Sequence, residues 1–573
     1  MLYEISCDKP NVQYVHIRYT IPAPDPECLV HLPAWRPGRY ELGNFARNVK
    51  GFRACDPGGN TLRAVKQSKD VWKVEAGEIT SLVVEYDYYA GVLNAGSTWL
   101  DAEMLYMNPV NCLMYLPERI SEKCILKLHV PENYRVATGM RSLGDLRFEA
   151  ADFHELADSP FIASASLQHR DFTLEGVRFN LWFQGEVKPE WERILHDTEQ
   201  YAREQLQVMG DFPVPEYHFL YHIGSTAMYH GVEHLTSTVI CLGPSYEIFR
   251  DRLYPEFAGI SSHELFHAWN IKTIRPADMM PYDYTRENYS ELGYVAEGVT
   301  TYYGDLFVLR SGILGQMEFF RNLNTWLTRY MHNFGRFNYS VAESSWDTWL
   351  DGYEPGVPHR KVSIYNEGAL LAFMADLIIR KHSAQLYSLD DVVRALYEEF
   401  GKAGKGYTRN DYKELLERFA GVSFDGYFLR FIEGTDDYMP GLEEYLAFIG
   451  LQVHELPADK YSERVFGFKT RTEAGKVLVA AMQPDSPSEK AGLMLHDEIR
   501  TVNDMRVTDN LNDWMEFAEG SAVELTVNRN GRTRRISMQP DGNTYYGKWE
   551  ALKDPFATPA QKEAYRRWSK QNF

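Results

Sequence analysis

The spacing of apolar positions changes character three times along the chain. From residue 1 to about 170 it reads as strand. Val12-Gln-Tyr-Val-His-Ile-Arg-Tyr-Thr-Ile21, Ser81-Leu-Val-Val-Glu-Tyr-Asp-Tyr-Tyr-Ala90 and Cys124-Ile-Leu-Lys-Leu-His-Val130 are β-branched or aromatic runs with partial alternation. Breakers such as Pro57-Gly58-Gly59-Asn60 separate them. Many short strands between turns predict a sandwich or curved sheet. Near residue 188 the period becomes helical: Pro189 to Met209 predicts a helix ending at Gly210. Short strands are expected near 217–223 and 235–242, then helices near 256–271, 289–309 and 367–381, with helical patterns to about residue 450. The third part returns to strand, with Val477-Leu-Val-Ala-Ala-Met482 and Ala522-Val-Glu-Leu-Thr-Val-Asn528. Beyond about residue 545 the chain is polar and charged, a tail or packing arm.

The pattern thus predicts a multidomain α+β protein: a β-rich domain over 1–170, a mostly helical domain over 171–453, a small β-rich domain over 454–545 and a tail over 546–573. A chain of 573 residues has ample length for several cores.

Charge narrows the function. Asp and Glu outnumber Lys and Arg by 80 to 60, for a net charge of −20. Such a chain is a poor general binder of phosphate backbones, so nucleic acid is not expected as a partner. The six cysteines form no Cys-x-x-Cys pair, which removes thiolate zinc knuckles and fits free thiols in a reducing compartment. The first ten residues have no apolar signal-peptide core, and no run approaches the ~18–20 apolar residues of a membrane span. A cytoplasmic location is the expectation.

The chemistry concentrates at His263-Glu264-Leu265-Phe266-His267. On a helix, residues four apart lie one turn apart on one face. Two imidazoles can therefore hold one Zn²⁺ while the adjacent glutamate reaches a metal-bound water. A catalytic zinc usually takes a third protein ligand and keeps one position open. No His-x-x-Gly-x-x-His continuation supplies it. Glu297, in Tyr294-Val-Ala-Glu297-Gly298-Val-Thr-Thr-Tyr-Tyr303, is the candidate. It sits among apolar and aromatic residues, where an unpaired carboxylate would be costly.

Several segments together resemble a known family. His263-Glu-Leu-Phe-His-Ala-Trp-Asn-Ile-Lys-Thr-Ile-Arg-Pro276 is similar to the extended motif of the glycyl aminopeptidases, a family of gluzincin zinc metallopeptidases. His31-Leu-Pro-Ala-Trp-Arg-Pro-Gly-Arg-Tyr40 resembles the family's N-terminal signature. Gly231-Val-Glu-His234, the Glu297-Gly298 helix and a C-terminal PDZ domain follow in the family's order. The resemblance spans nearly the whole chain. It implies a thermolysin-like catalytic domain with one zinc on His263, His267 and Glu297, and Glu264 as general base. It also implies hydrolysis of N-terminal residues, by preference Gly or Ala, from peptides with free N-termini. Glu233 resembles the glutamate of the Gly-x-x-Glu element that binds the substrate's α-amine in related enzymes, although Gly231 stands one residue nearer to it than that element has. Tyr365, in Ile364-Tyr-Asn-Glu-Gly368, resembles the Tyr-x-x-Gly element whose tyrosine donates to the oxyanion. This chain has Glu367 where Lys is usual. Asn270, Lys272 and Arg275 fit the family motif, without a role that spacing or charge supplies.

Val465-Phe466-Gly467-Phe468 resembles a PDZ carboxylate-binding loop, and Ser486-Pro-Ser-Glu-Lys-Ala-Gly492 is a PDZ-like feature. Such a domain binds peptide by adding a strand at a sheet edge. Phe466, Gly467 and Phe468 would then meet a peptide ligand, unless the groove is an internal packing surface. Two other readings compete with the aminopeptidase: a zinc endopeptidase, and a non-catalytic peptide-binding scaffold.

Overall fold

The computed structural model describes residues 1–573 other than 251, 353–355 and 519. Among the described residues, the N-terminal region is built from a seven-stranded sheet with a four-stranded and a three-stranded sheet. Strand Tyr14–Pro22 shows why the sequence folds this way. Val15, Ile17, Tyr19 and Ile21 alternate into the core while the residues between them are less buried. Leu2–Ser6 pairs antiparallel with it in the register Tyr3↔Tyr19, and those two rings stack at 4.4 Å. In strand Ser81–Tyr89, Leu82, Val84, Tyr86 and Tyr88 face the core, while Glu85 and Asp87 on the other face pair with Arg18 and Lys50.

The middle region opens with a five-stranded sheet. Its order is Gln168–Leu174, Val177–Gln184, Glu216–Ile223, Ser237–Gly243 and, at the edge, Met228–Glu233. The edge strand runs antiparallel to its neighbour, with Gly231 opposite Ile240 and Glu233 opposite Thr238. Helices follow at Trp191–Met209, Tyr254–Phe266, Thr300–Ser311, Gln316–His332 and Asn366–His382. The first ends at Gly210 (φ 95°), as its pattern predicts. The second stops at Phe266, earlier than periodicity alone suggests. Past His267 the chain leaves the helical path to hold the site. The expected helix near 289–309 begins with a π-helical turn, Tyr294–Val299. Wide turns of this kind often carry functional side chains.

The C-terminal module is a six-stranded sheet with a core of Phe466, Phe468, Val479, Ile499, Leu525 and Val527. It hangs on a two-stranded ribbon: Leu451–Leu456 before it pairs with Lys548–Lys553 after it. Residues 546–573, expected as a tail or packing arm, are thus ordered. The ribbon packs on Gln316–His332, with the Ala551 N–H donating to Asn324 Oδ1 at 2.8 Å. Helix Pro559–Ser569 then returns to the helical core. Trp568 is fully buried there, and its Nε1 donates to the Tyr302 hydroxyl at 2.9 Å. Among the described residues, no helix is long and apolar enough to cross a membrane.

Candidate metal centre and substrate cleft

Helix Tyr254–Phe266 brings His263 and Glu264 to the cleft, and His267 closes its last turn. The two Nε2 atoms lie 3.0 Å apart. Two imidazoles on one tetrahedral Zn²⁺ would stand about 3.3 Å apart, from Zn–N distances near 2.0–2.1 Å. Glu297 Oε2 lies 3.4 Å from His267 Nε2, and ligand atoms of His263, His267 and Glu297 all fall within 4.8 Å of one another. The three donors predicted from sequence therefore converge.

The neighbours fix these ligands. His267 Nδ1 lies 2.5 Å from the Asn270 carbonyl oxygen. An oxygen there can only accept, so Nδ1 carries the proton and Nε2 presents its lone pair to the metal. The Asn270 side chain donates to the carbonyls of Val295 and Ala296 and to Thr300 Oγ1, gripping the wide turn that bears Glu297. That turn also lies against helix Asn366–His382 at glycine. A Cβ on Gly298 would stand 2.4 Å from the Gly368 Cα. Tyr40, from the N-terminal region, donates to Glu297 Oε1 at 3.4 Å.

Charge tells the same story. Burial, with His267 beside it, drives the His263 pKa well below its ordinary value, so the ring is neutral and able to ligate. Burial also works against a charged His267, but Glu297, Glu233 and Glu264 outweigh it and push His267 up to about 9, so a metal bound at Nε2 would displace a proton from it. Burial raises both Glu264 and Glu297, and neighbouring carboxylates add to the rise. Three buried carboxylates around two imidazoles repel one another. A bound dication relieves that repulsion, so the donor set fits zinc.

These residues open on a cleft of about 1060 Å³ whose walls include Gly231, Glu233, Glu297 and Tyr365. Glu233 ends the edge strand, buried, and its Oε1 has no hydrogen-bond partner among the described residues. Oxygens of Glu233 and Glu264 and a nitrogen of His267 lie within 4.8 Å of one another. Gly231 admits Glu264: a Cβ there would stand 2.0 Å from Glu264 Oε1. Tyr365 precedes helix Asn366–His382 and faces the same cleft. Glu367 is buried, does not line the cleft, and accepts the Ser363 N–H at 3.0 Å. His230 lines the cleft, but burial, with Arg36 and Arg39 nearby, lowers its pKa to about 3.

The sequence reading missed the part played by loop 35–40. Trp35 anchors it, donating from Nε1 to the Asp283 carbonyl at 2.7 Å and packing edge-on to Trp349 at 5.1 Å. Gly38 adopts φ +79°, and a Cβ there would lie 2.6 Å from Glu233 Oε2. Arg36 and Arg39 line the cleft beside it. The signal was present as Trp-Arg-Pro-Gly-Arg-Tyr, but nothing local ties that string to a zinc site more than two hundred residues away.

In the C-terminal module, Phe466 closes helix Tyr461–Phe466, Gly467 takes φ 70°, and Phe468 starts a strand. The Gly467 N–H donates to the Glu463 carbonyl at 3.3 Å, and both Phe rings are in the core. The module touches the helical region through Lys469 Nζ to His332 Nδ1 at 2.9 Å and His359 Nε2 to the Met482 carbonyl at 3.2 Å.

Comparison with known proteins agrees with this reading. Residues 2–165 match the peptidase M61 N-terminal domain, 256–371 the M61 glycyl aminopeptidase model, and 449–539 a PDZ domain. An aminopeptidase N family protein from Idiomarina loihiensis has a similar structure, with 25% identity, 99% of each chain covered and a TM-score of 0.91. An M1 zinc metallopeptidase from Deinococcus radiodurans is a more distant likeness, at 13% identity, 76% of this chain and 94% of that one, and a TM-score of 0.49. No curated protein matches the sequence. Fold and site together define a zinc metallopeptidase that carries a C-terminal PDZ domain. Residues 2–165 and 256–371 thus resemble the two domain models of the M61 glycyl aminopeptidases.

Proposed function

We propose that the protein is an aminopeptidase that removes small N-terminal residues, Gly or Ala, from peptides, with one zinc held by His263, His267 and Glu297. The observation that carries the exopeptidase reading is Glu233: a buried carboxylate with a partnerless oxygen, beside the ligand set and facing the cleft. A substrate ammonium would complete it. Zinc bound at the site would lower the pKa of a coordinated water toward ~7 and polarise the scissile carbonyl.

The chain's own groups do the rest. Glu264 takes a proton from the attacking water and returns it to the leaving amine. Its raised pKa, from burial and neighbouring carboxylates, makes it a stronger base than a surface glutamate. Tyr365 donates its hydroxyl to the developing oxyanion. Glu233 sets the distance from the α-amine to the scissile bond. Gly38 lies directly against Glu233, and the preference for Gly or Ala follows the likeness of residues 256–371 to the glycyl aminopeptidase model. The PDZ domain is a second candidate peptide-binding surface, through Phe466, Gly467 and Phe468. The Gly467 N–H already has a main-chain partner, so any such ligand would rely on the strand edge beyond it.

The test is a matched pair of chromogenic substrates, glycyl and N-acetylglycyl. A blocked N-terminus leaves the Glu233 carboxylate desolvated and unpaired, so the acetylated substrate should be cleaved poorly. Glu233→Ala should narrow the gap in kcat/KM while zinc stays bound. Equal cleavage of both substrates by the wild type would instead make the protein an endopeptidase.

A further inference from the structure

We propose that Lys272 and Asp158 are positioning residues that hold Glu233 at its working distance from the metal centre. This rests on the amine-anchor reading of Glu233 above. Glu233 ends the edge strand, and residues 234–236 turn the chain into Ser237–Gly243. A single carboxylate grips that turn. Asp158 Oδ2 accepts the Leu235 N–H at 2.9 Å, and Oδ1 accepts from His234 Nδ1 at 3.0 Å. The same Oδ1 accepts from Lys272 Nζ at 2.6 Å. Lys272 in turn belongs to the segment that leaves the zinc helix: its N–H donates to the His267 carbonyl at 3.0 Å. An unbroken path therefore runs from a metal ligand, His267, through Lys272 and Asp158 to the residue after Glu233.

Lys272 and His234 are buried, and Asp158 is partly buried. Lys272 is 6% exposed and His234 4%. This separates Lys272 from an ordinary cation at a helix end, which would sit in solvent. Burial disfavours charge on Asp158, yet Lys272 and His234 hold its carboxyl below the ordinary range. The ionised form has lone pairs for all three donors. A neutral partner in place of Lys272 would leave a partly buried carboxylate without its counter-charge, and the turn it holds would lose its reference.

Asp158 caps the short helix Phe153–Ala157, which lies in the stretch matched by the N-terminal family domain. That domain thus reaches the amine anchor twice. Gly38 backs the carboxylate itself, and Asp158 holds the turn behind it. Exopeptidase geometry in this chain is a property of two domains docked together. The catalytic domain supplies the zinc donors, and the N-terminal domain sets how far from them the α-amine rests.

The experiment compares full-length wild type, Lys272→Met, Asp158→Asn and Lys272→Arg, each also combined with Glu233→Ala. The probes are the glycyl and N-acetylglycyl substrates, with zinc content measured on every protein. Displacing a positioned group by about 1 Å can cost on the order of 10²-fold. Lys272→Met and Asp158→Asn should keep zinc and lose about that factor in kcat/KM on the free-amine substrate, chiefly through KM. Cleavage of the acetylated substrate should stay at its low level. Lys272→Arg should recover much of the loss, because it keeps the charge. In the Glu233→Ala background the same changes should add little, since the group they position is gone. Multiplying losses in that background, or loss of zinc together with activity, would overturn the inference. Should Lys272→Met not fold, Asp158→Asn and Lys272→Arg, which preserve shape or charge, decide it. If Glu233→Ala leaves the free/acetylated gap intact, the amine-anchor reading has failed. If Glu233→Ala closes the gap and the Lys272 and Asp158 variants do not, only the positioning role has.

Discussion

His267 Nδ1 stands 2.5 Å from the main-chain oxygen of Asn270, three residues further on and outside the helix. The same asparagine's side chain holds the backbone of the Glu297 turn. Asn270 therefore orients one proposed ligand through its carbonyl and another through its amide. Removing such an outer partner typically weakens metal binding ~10–100-fold. Asn270→Ala should keep the helix and His263 but bind zinc more weakly, as read by competition with a chromophoric chelator. Unchanged affinity would show that the Glu297 turn holds its shape without Asn270.

Glu264 and the ligands separate cleanly by substitution. Glu264→Gln removes the proton acceptor and leaves both imidazoles, so zinc content should persist while turnover falls by orders of magnitude. Gly231→Ala should mimic this loss in part, because the added methyl would occupy the space of Glu264 Oε1. Near-normal turnover in Glu264→Gln would move water activation to another residue.

Tyr365→Phe deletes one hydroxyl and almost no volume. Losing an oxyanion donor typically costs ~10²–10³ in kcat. A change confined to KM would instead make Tyr365 a wall of the cleft.

The Lys272–Asp158 pair predicts a pH signature in stability. Asp158 titrates near ~3.9 when unfolded and lower than that when folded. A lowered folded pKa gives stability that is complete above the unfolded value and is lost as pH falls through the folded one. The Tm deficit of Asp158→Asn should thus be steady from about pH 5 to 8 and shrink below about pH 4. A deficit that widens on acidification would mean the pair contributes nothing as a charge.

What the sequence made legible was local. His263, Glu264 and His267 announce themselves because helical geometry alone puts positions four apart on one face. Glu297 was readable because a carboxylate among apolar residues asks for a partner. Strands such as Tyr14–Pro22 declared themselves by alternation. The illegible parts are contacts between distant segments. Tyr40 meets Glu297 across 257 residues, and Lys272 meets Asp158 across 114. Neither has a spacing rule, since docking of whole domains makes both. Val465–Phe468 read as a loop through its resemblance to a PDZ carboxylate-binding loop. In the structure Gly467 ends a helix, where a left-handed residue is equally at home.

The last segment read from the sequence only as a polar tail or packing arm, with no helix and no partner assigned. Polar residues dominate 546–573, yet Trp568 is buried against Phe373 and Phe319, and Arg310 Nε donates to its carbonyl at 2.9 Å. Its indole also donates to Tyr302, whose hydroxyl donates to Asp376 Oδ2 at 2.7 Å on helix Asn366–His382. Tyr302 lies in helix Thr300–Ser311, which continues from the Glu297 turn. The C-terminus therefore clamps the two helices that lead to Glu297 and Tyr365. Truncating a buried aromatic to alanine usually costs ~3–5 kcal/mol, and here the Tyr302 hydroxyl also loses its indole donor. Trp568→Ala should lower the Tm of the catalytic domain and leave that of an independently melting PDZ domain unchanged. Deleting 558–573 should do so more severely. A differential scan that resolves the two transitions checks this. If the catalytic transition does not move in Trp568→Ala, the C-terminal helix is a passenger, and the clamp on Tyr302 has no weight.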